Sequence, residues 1–356
     1  VHADDAFAVA VASLPGMGPS RLRALLDRHP PAEAWARVRA GAAGDPWRRA
    51  AVAFDVEAAA AAHVAAGVQV CRLGAAGYPP RLAEDPEAPA VLFAQGDPSV
   101  VASPAVAVVG TRRCTHAGRG VAREMGEALA AAGAHVVSGL ALGIDGAAHE
   151  GALAAAAGAP VGVVGSGLDV VYPRRHASLW ERVAAAGVLL AEWPLGTRPD
   201  AWRFPARNRL IAVLCDVLVV VESHAAGGAM HTVEAADRRG RTVLAVPGSV
   251  RNPAAAGTNR LLFDGHGPAR DPADVLCALG LATAGLVRGP AETREAPAGT
   301  AATVLEAVDW EPTSTEAVLA RTGLSPVAVA TALDRLERAE WVRGDGGWWE
   351  RVGRSS

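Results

Sequence analysis

Val106-Ala107-Val108-Val109-Gly110-Thr111-Arg112-Arg113 is an apolar run that stops abruptly in a glycine and two arginines. Small and β-branched residues in succession, with no polar alternation, suit a strand covered on both faces. The pattern recurs along the chain. His135-Val136-Val137 runs into Ser138-Gly139-Leu140-Ala141, and Val161-Gly162-Val163-Val164 runs into Gly165-Ser166-Gly167. Val188-Leu189-Leu190 leads to Ala191-Glu192-Trp193-Pro194, and residues 217–221 lead to Glu222-Ser223. A further run, 242–246, ends at Pro247-Gly248. Ala-rich, helix-compatible stretches follow most of them. Strand, short loop, helix, strand at this spacing predicts an α/β fold with a doubly wound parallel sheet. Such sheets bind ligands outside the carboxyl ends of their strands, which is where this chain places its glycines and much of its arginine.

Composition narrows the class. At 356 residues the chain has room for roughly two or three domains. Half of it is apolar, yet charges, Gly or Pro interrupt every stretch of membrane-spanning length. With no basic start followed by an apolar segment, the expectation is a cytoplasmic protein with no membrane association. Cys71, Cys114, Cys215 and Cys277 are isolated and read as reduced thiols. There is no lysine, so every basic side chain other than histidine is arginine. The net charge of −3 argues against a protein coated in basic charge but leaves room for a local basic cleft.

The flanks differ from the middle. Residues 1–66 are Ala-rich with helical periodicity and are expected to form a small helical domain. Within them Leu14-Pro15-Gly16-Met17-Gly18-Pro19-Ser20-Arg21-Leu22 resembles a helix-hairpin-helix turn, whose backbone N–H groups can hold a DNA phosphate. The two glycines serve equally well if they only make the turn. Pro-rich extended chain follows and leads into the sheet, so the sheet domain is placed at 67–286. Residues 287–299 have linker composition. Residues 300–352 read helix, helix, helix, wing. Ser314-Thr315-Glu316 caps the second helix, Ser325-Pro326 opens the third, and Gly344-Asp345-Gly346-Gly347 turns a hairpin. That is a winged-helix pattern. Its Arg335 and Arg338 sit among Asp334, Glu337 and Glu340, so contact with protein is at least as well supported as contact with DNA.

The loops carry the chemistry. A dinucleotide binder would have Gly-x-Gly-x-x-Gly after its first strand. Here Gly110-Thr111-Arg112-Arg113 puts guanidinium groups where a cofactor's phosphates would lie, so an anion-binding turn without NAD, FAD or another cofactor is expected. Asp145 and His149 share a helix face, but no third metal ligand is evident. A cap with an internal hydrogen bond that stiffens the Ser138-Gly139 loop fits better than a metal. After the fourth run, residues 198–209 interleave Arg198, Arg203, Arg207 and Arg209 with Trp202 and Phe204. Arginine for phosphates with aromatics for base stacking suits single-stranded nucleic acid. Alternatively, Phe204 packs in the core and Arg207 pairs with Glu192 or Glu222. Gly227-Gly228 opens a further helix, where Thr232 could hold a phosphate or ribose and Glu234 could be an acid, or the loop only caps. No serine lies in a Gly-x-Ser-x-Gly elbow and no Walker A motif is present, so no catalytic residue is nominated.

Taken together in order, 108–112, 137–149, 165–173, 192–196, Phe204-Pro205-Ala206-Arg207-Asn208-Arg209, 246–248 and 257–262 resemble the DNA-processing protein A (DprA or Smf) family. The resemblance is close over roughly 70–300 and looser at both ends. It implies an extended Rossmann-like domain with a small helical N-terminal domain (helix-hairpin-helix or SAM-like) and a winged-helix C-terminal domain. It further implies a non-enzymatic single-stranded DNA binder that protects incoming DNA, loads the RecA recombinase in natural transformation, and forms homodimers. Carried over by motif, the DNA site comprises Gly110, Thr111, Arg112, Arg113, Ser138, Gly139, Gly165, Ser166, Gly167, Arg203, Phe204, Arg207, Asn208 and Arg209. Gly227, Ala255 and Ala201 depart from residues common in the family. The rival reading is a nucleotide-binding or nucleotide-hydrolysing enzyme. Residues 227–235 faintly resemble the lysine-decarboxylase-like (LOG) proteins, with Glu234 as the acid.

Overall fold

Nine strands form one sheet, in the order β1-β2-β6-β5-β4-β3-β7-β8-β9, in a computed structural model that describes residues 3–42, 44–102, 104–156, 158–281 and 296–352. In chain order they are β1 (Val68–Arg72), β2 (Val91–Gly96), β3 (Ala105–Val109), β4 (His135–Ser138), β5 (Val161–Val164), β6 (Val188–Ala191), β7 (Val217–Val220), β8 (Thr242–Ala245) and β9 (Gly267–Pro268). From β6 through β9 every pairing is parallel. The chain builds β3 to β6 outward in one direction, then returns to the other side of β3 to lay down β7, β8 and β9. The β3–β7 seam is therefore the topological switch point.

Residues 67–104 are more than the extended connector the sequence suggested. β1 and β2 pair with each other and β2 pairs with β6, all antiparallel, so the parallel sheet gains an antiparallel margin. Flanking prolines at 79, 80 and 89 hid these strands, although Val91 to Ala94 are all buried. β9 is only two residues long and carries no periodicity to read.

Burial explains the sequence pattern. Ala105, Ala107 and Val109 enter one core with α10 (Arg203–Leu214) and α11 (Met230–Asp237), whereas Val106 and Val108 enter the opposite core. That second core belongs to α7 (His116–Ala131), α8 (Ile144–Ala152) and α13 (Pro272–Ala278). Successive side chains point to opposite faces, and with helices on both faces neither set can be polar. Five helices precede the sheet: α1 (Ala3–Ala12), α2 (Pro19–Leu26), α3 (Pro31–Arg39), α4 (Asp45–Ala53) and α5 (Val56–Ala65). Val9, Val11, Trp35 and Val38 share a core with Phe93 of β2, Leu189 of β6 and Trp180 of α9 (Ala177–Ala186). The helical region expected over 1–66 therefore lies in the same compact unit as the sheet, Val1–Ala282. The four-residue α6 (Pro80–Ala83) and the eight-residue α12 (Ala256–Phe263) belong to the same unit.

The second unit, Thr283–Ser356, is a winged helix. It contains α14 (Thr300–Ala307), β10 (Thr313–Ser314), α15 (Thr315–Thr322), α16 (Pro326–Arg338), β11 (Val342–Asp345) and β12 (Trp348–Arg351). Ser314 and Ser325 cap α15 and α16 by accepting the N–H of Ala317 and Ala328. Gly346 and Gly347 both have positive φ, the geometry a two-residue hairpin needs. Val329, Leu333 and Leu336 are buried, and Arg338 is occupied at the surface by Asp334. The linker expected at 287–299 lies mostly outside the described residues.

Candidate nucleic-acid interface

A cleft of about 440 Å³ opens at the β3–β7 switch point. One wall is the β3 loop with Gly110, Thr111, Arg112 and Arg113; the opposite wall is the β7 loop with His224, Gly227 and Gly228. The first turns of α10 complete it with Phe204, Arg207, Asn208 and Ile211. These four stand at i, i+3, i+4 and i+7, one face of a helix. A smaller recess of about 30 Å³ adjoins it, sharing Arg112, Phe204 and Arg207 and adding Gly139, Leu142 and Tyr172.

The β3 loop is braced from behind. Thr111 N–H donates to Glu222 O at 2.7 Å, and Arg113 N–H donates to Thr111 Oγ1 at 3.2 Å. A Cβ at Gly110 would stand 2.6 Å from Ile144 and 2.7 Å from Glu222 O, so only glycine lets these chains meet. The buried Glu222 carboxylate accepts from Thr115 N–H and Oγ1–H at 2.8 and 2.6 Å, at the start of α7. An anion there suits the helix N-terminus and leaves Glu222 no part in pairing arginine.

Arg112 and Arg113 are exposed, and among the described residues neither has a carboxylate partner. The Arg112 guanidinium carbon lies 4.8 Å from the centroid of the Phe204 ring. Tyr172 tilts against the same ring at 5.5 Å. A cation parked over an aromatic face keeps its charge available to a ligand.

The profile of the DNA recombination-mediator protein A family matches residues 69–280, and that of the DprA winged helix domain matches 288–347. The chain belongs to this family. It is 34% identical to Protein Smf of Escherichia coli (strain K12) over 284 residues, 78% of this chain and 76% of that protein. The crystal structure of DNA processing protein A from Streptococcus pneumoniae superposes with a TM-score of 0.65 at 28% identity, covering 78% of this chain and 98% of that one. DNA processing protein A from Helicobacter pylori, whose structure concerns its single-stranded DNA binding mode, gives 0.54 at 27% identity, covering 59% and 95%.

At the floor of the cleft, this member of the DprA family buries an arginine and an aspartate, Arg207 and Asp145. Arg207 donates through Nη1 to Gly139 O at 2.8 Å and to Val163 O, and through Nε to Asn208 Oδ1 at 3.1 Å. Burial lowers its pKa to about 10, opposed by Asp145 and reinforced by the positive charge of Arg112. Asp145 is buried too. Burial pushes its pKa up, while Arg207 and the N–H groups of Gly139, Gly110 and Ala141 pull it down. Its Oδ2 accepts from Gly139 N–H at 3.1 Å, the internal brace the sequence suggested, but the expected cap is absent: Gly143 stands at the N-cap of α8, with no side-chain cap hydrogen bond. A Cβ at Gly139 would stand 2.5 Å from the Arg207 guanidinium, so any larger residue at 139 would displace that guanidinium from its present position. Arg207 thus lines the cleft while its hydrogens hold the loop after β4 and the end of strand β5.

The remaining expected site residues separate. Arg209 turns away from the cleft and forms a two-pronged ion pair with buried Glu192, at 2.7 and 2.6 Å. It is Arg209, rather than Arg207, that takes Glu192. Arg203 faces a different groove. Ser138 and Ser166 spend their hydroxyls on Val108 O and Val170 O, at 2.6 and 2.8 Å. Gly167 is buried and donates to Thr197 O. Gly165 backs the Phe204 ring, where a Cβ would stand 3.3 Å from it. The cleft residues not nominated from sequence include two histidines, His224 and His231, which bracket Gly227-Gly228. Their spacing around that loop was the available clue. Glu234, the acid of the rival reading, is exposed, sits 3.8 Å from His231 and does not line the cleft. Among the described residues, no cluster of three His, Cys, Asp or Glu side chains could hold a metal, and no helix is long and apolar enough to cross a membrane.

Proposed function

We propose that this chain binds single-stranded DNA in the switch-point cleft, protects incoming strands, and loads the RecA recombinase onto them during natural transformation. The observation that carries the reading is the Arg112 guanidinium, without a carboxylate partner among the described residues, lying over Phe204 at the mouth of that cleft. Phosphate oxygens meet Arg112, Arg113 and the charge of Arg207, while an unpaired base reaches Phe204. A duplex keeps its bases stacked inside and cannot offer one. The named binding mode of the Helicobacter pylori relative supports the same ligand, and the family's designation as a recombination mediator supports the RecA step. The protein acts in the cytoplasm as a homodimer, without a cofactor and without catalysing a reaction. Val250 and Phe263, 92% and 82% exposed toward the β8–β9 end of the sheet, give apolar surface for the second copy. The test is fluorescence anisotropy with matched single- and double-stranded oligonucleotides at two ionic strengths. Preference for the single strand with steep salt weakening is expected; equal affinity for both, or salt-insensitive binding, would overturn the reading.

A further inference from the structure

A second groove, about 640 Å³, lies between the turn joining α1 to α2 and the loop that follows β6. The proposed function makes no use of it. Its wall from the helical region is 14–18, the stretch with the helix-hairpin-helix resemblance, where Gly16 takes a φ of +69°. The facing wall holds Trp193, Arg198, Trp202 and Arg203.

The facing wall is a stacked array. Trp202 is 48% exposed and meets Trp193 edge-on, with centroids 5.4 Å apart. The Arg203 guanidinium lies 5.0 Å from the Trp202 centroid and 5.2 Å from that of Trp193. Asp200 accepts the Trp202 indole N–H at 2.8 Å and so fixes the ring. Trp193 is 4% exposed, yet among the described residues its indole N–H finds no acceptor. A buried donor left unmatched is costly unless a ligand completes it. Arg203 donates to Arg198 O, and the exposed Arg198 guanidinium has no carboxylate partner among the described residues.

Arg203 and Phe204 are adjacent at the start of α10, Phe204 lining the switch-point cleft and Arg203 lining the groove, so the two sites meet one residue apart on the same helix. We infer that the groove is a second nucleotide subsite for the same DNA strand, stacking a base on Trp202 and holding its phosphate with Arg198. This inference rests on the cleft reading above and extends its footprint across the helical region.

The full chain is titrated with oligothymidylates of roughly five and roughly fifteen nucleotides, lengths that bracket one and several subsites. Wild type is expected to bind the longer strand more tightly. Trp202→Ala and Arg198→Glu are each expected to lose on the order of tenfold on the longer strand and to match wild type on the shorter one. Arg112→Ala is expected to lose on both. A 5-iodouracil base beyond the cleft-bound segment is expected to photo-cross-link to Trp202. Groove variants that match wild type on both lengths, or cross-links that avoid the groove, overturn the subsite and leave the cleft reading standing. A wild-type protein that binds neither length overturns both.

Discussion

The Arg112 guanidinium carbon stands 4.8 Å from the centroid of the Phe204 ring, joining the loop after β3 to the first turn of α10 across the switch point. The contact fixes a long side chain without neutralising it. A carboxylate partner would have competed with a phosphate, and an aromatic face does not.

In the proposed complex Phe204 serves a base as well as Arg112. Phe204→Ala should cost about 1–3 kcal/mol of single-strand affinity, the usual worth of one base stack, and Phe204→Tyr should retain most of it. Anisotropy titration with a homopolymeric strand checks this. Equal affinity for the alanine variant would remove Phe204 from the site.

Glu192 and Arg209 make a largely enclosed pair, with side chains 3% and 15% exposed. Glu192→Ala strands the arginine and should destabilise the fold by about 3 kcal/mol, read as a fall in the urea midpoint. Replacing both, Glu192→Met with Arg209→Leu, should restore most of the stability and leave DNA affinity and its salt slope unchanged. A reduced salt slope in the double variant would return Arg209 to the phosphate-binding set.

The apolar strand runs were legible because strands covered on both faces show no alternation. The antiparallel margin was not, because prolines flank β1 and β2 and because pairing order is a tertiary property. Gly110 with Arg112 was legible as a tight turn that carries an arginine, and both residues line the cleft. The arginines of α10 were not sorted, although helix geometry sorts them. Residues 207 and 209 lie about 200° apart around a helix, so they cannot both face the cleft. Phe204, Arg207, Asn208 and Ile211 do so together. The serine hydroxyls of Ser138 and Ser166 are taken by carbonyls distant in sequence or across a turn, which motif matching does not reveal.

His149, packed under the Gly139 loop, adds a pH dependence. Burial lowers its pKa to about 4, against 6.5 for an ordinary histidine, helped by the nearby charges of His176 and Arg207. The unfolded chain therefore takes up a proton that the folded chain refuses. The stability contributed by neutral His149 is complete above pH 6.5 and is lost as pH falls toward 4, amounting to roughly 3 kcal/mol. Urea unfolding of wild type and His149→Gln across that window checks the sign. The difference in stability between them should shift in the variant's favour as pH falls, and a constant difference would contradict the assignment.

The most direct test of the cleft is the salt dependence of single-strand binding by Arg112→Ala. Affinity should fall by a similar factor for every sequence, and the slope of log affinity against log salt should shrink by about 0.7, as expected when one phosphate contact to a single strand is lost. An Arg112→Ala protein that binds at full strength with an unchanged slope would contradict the account.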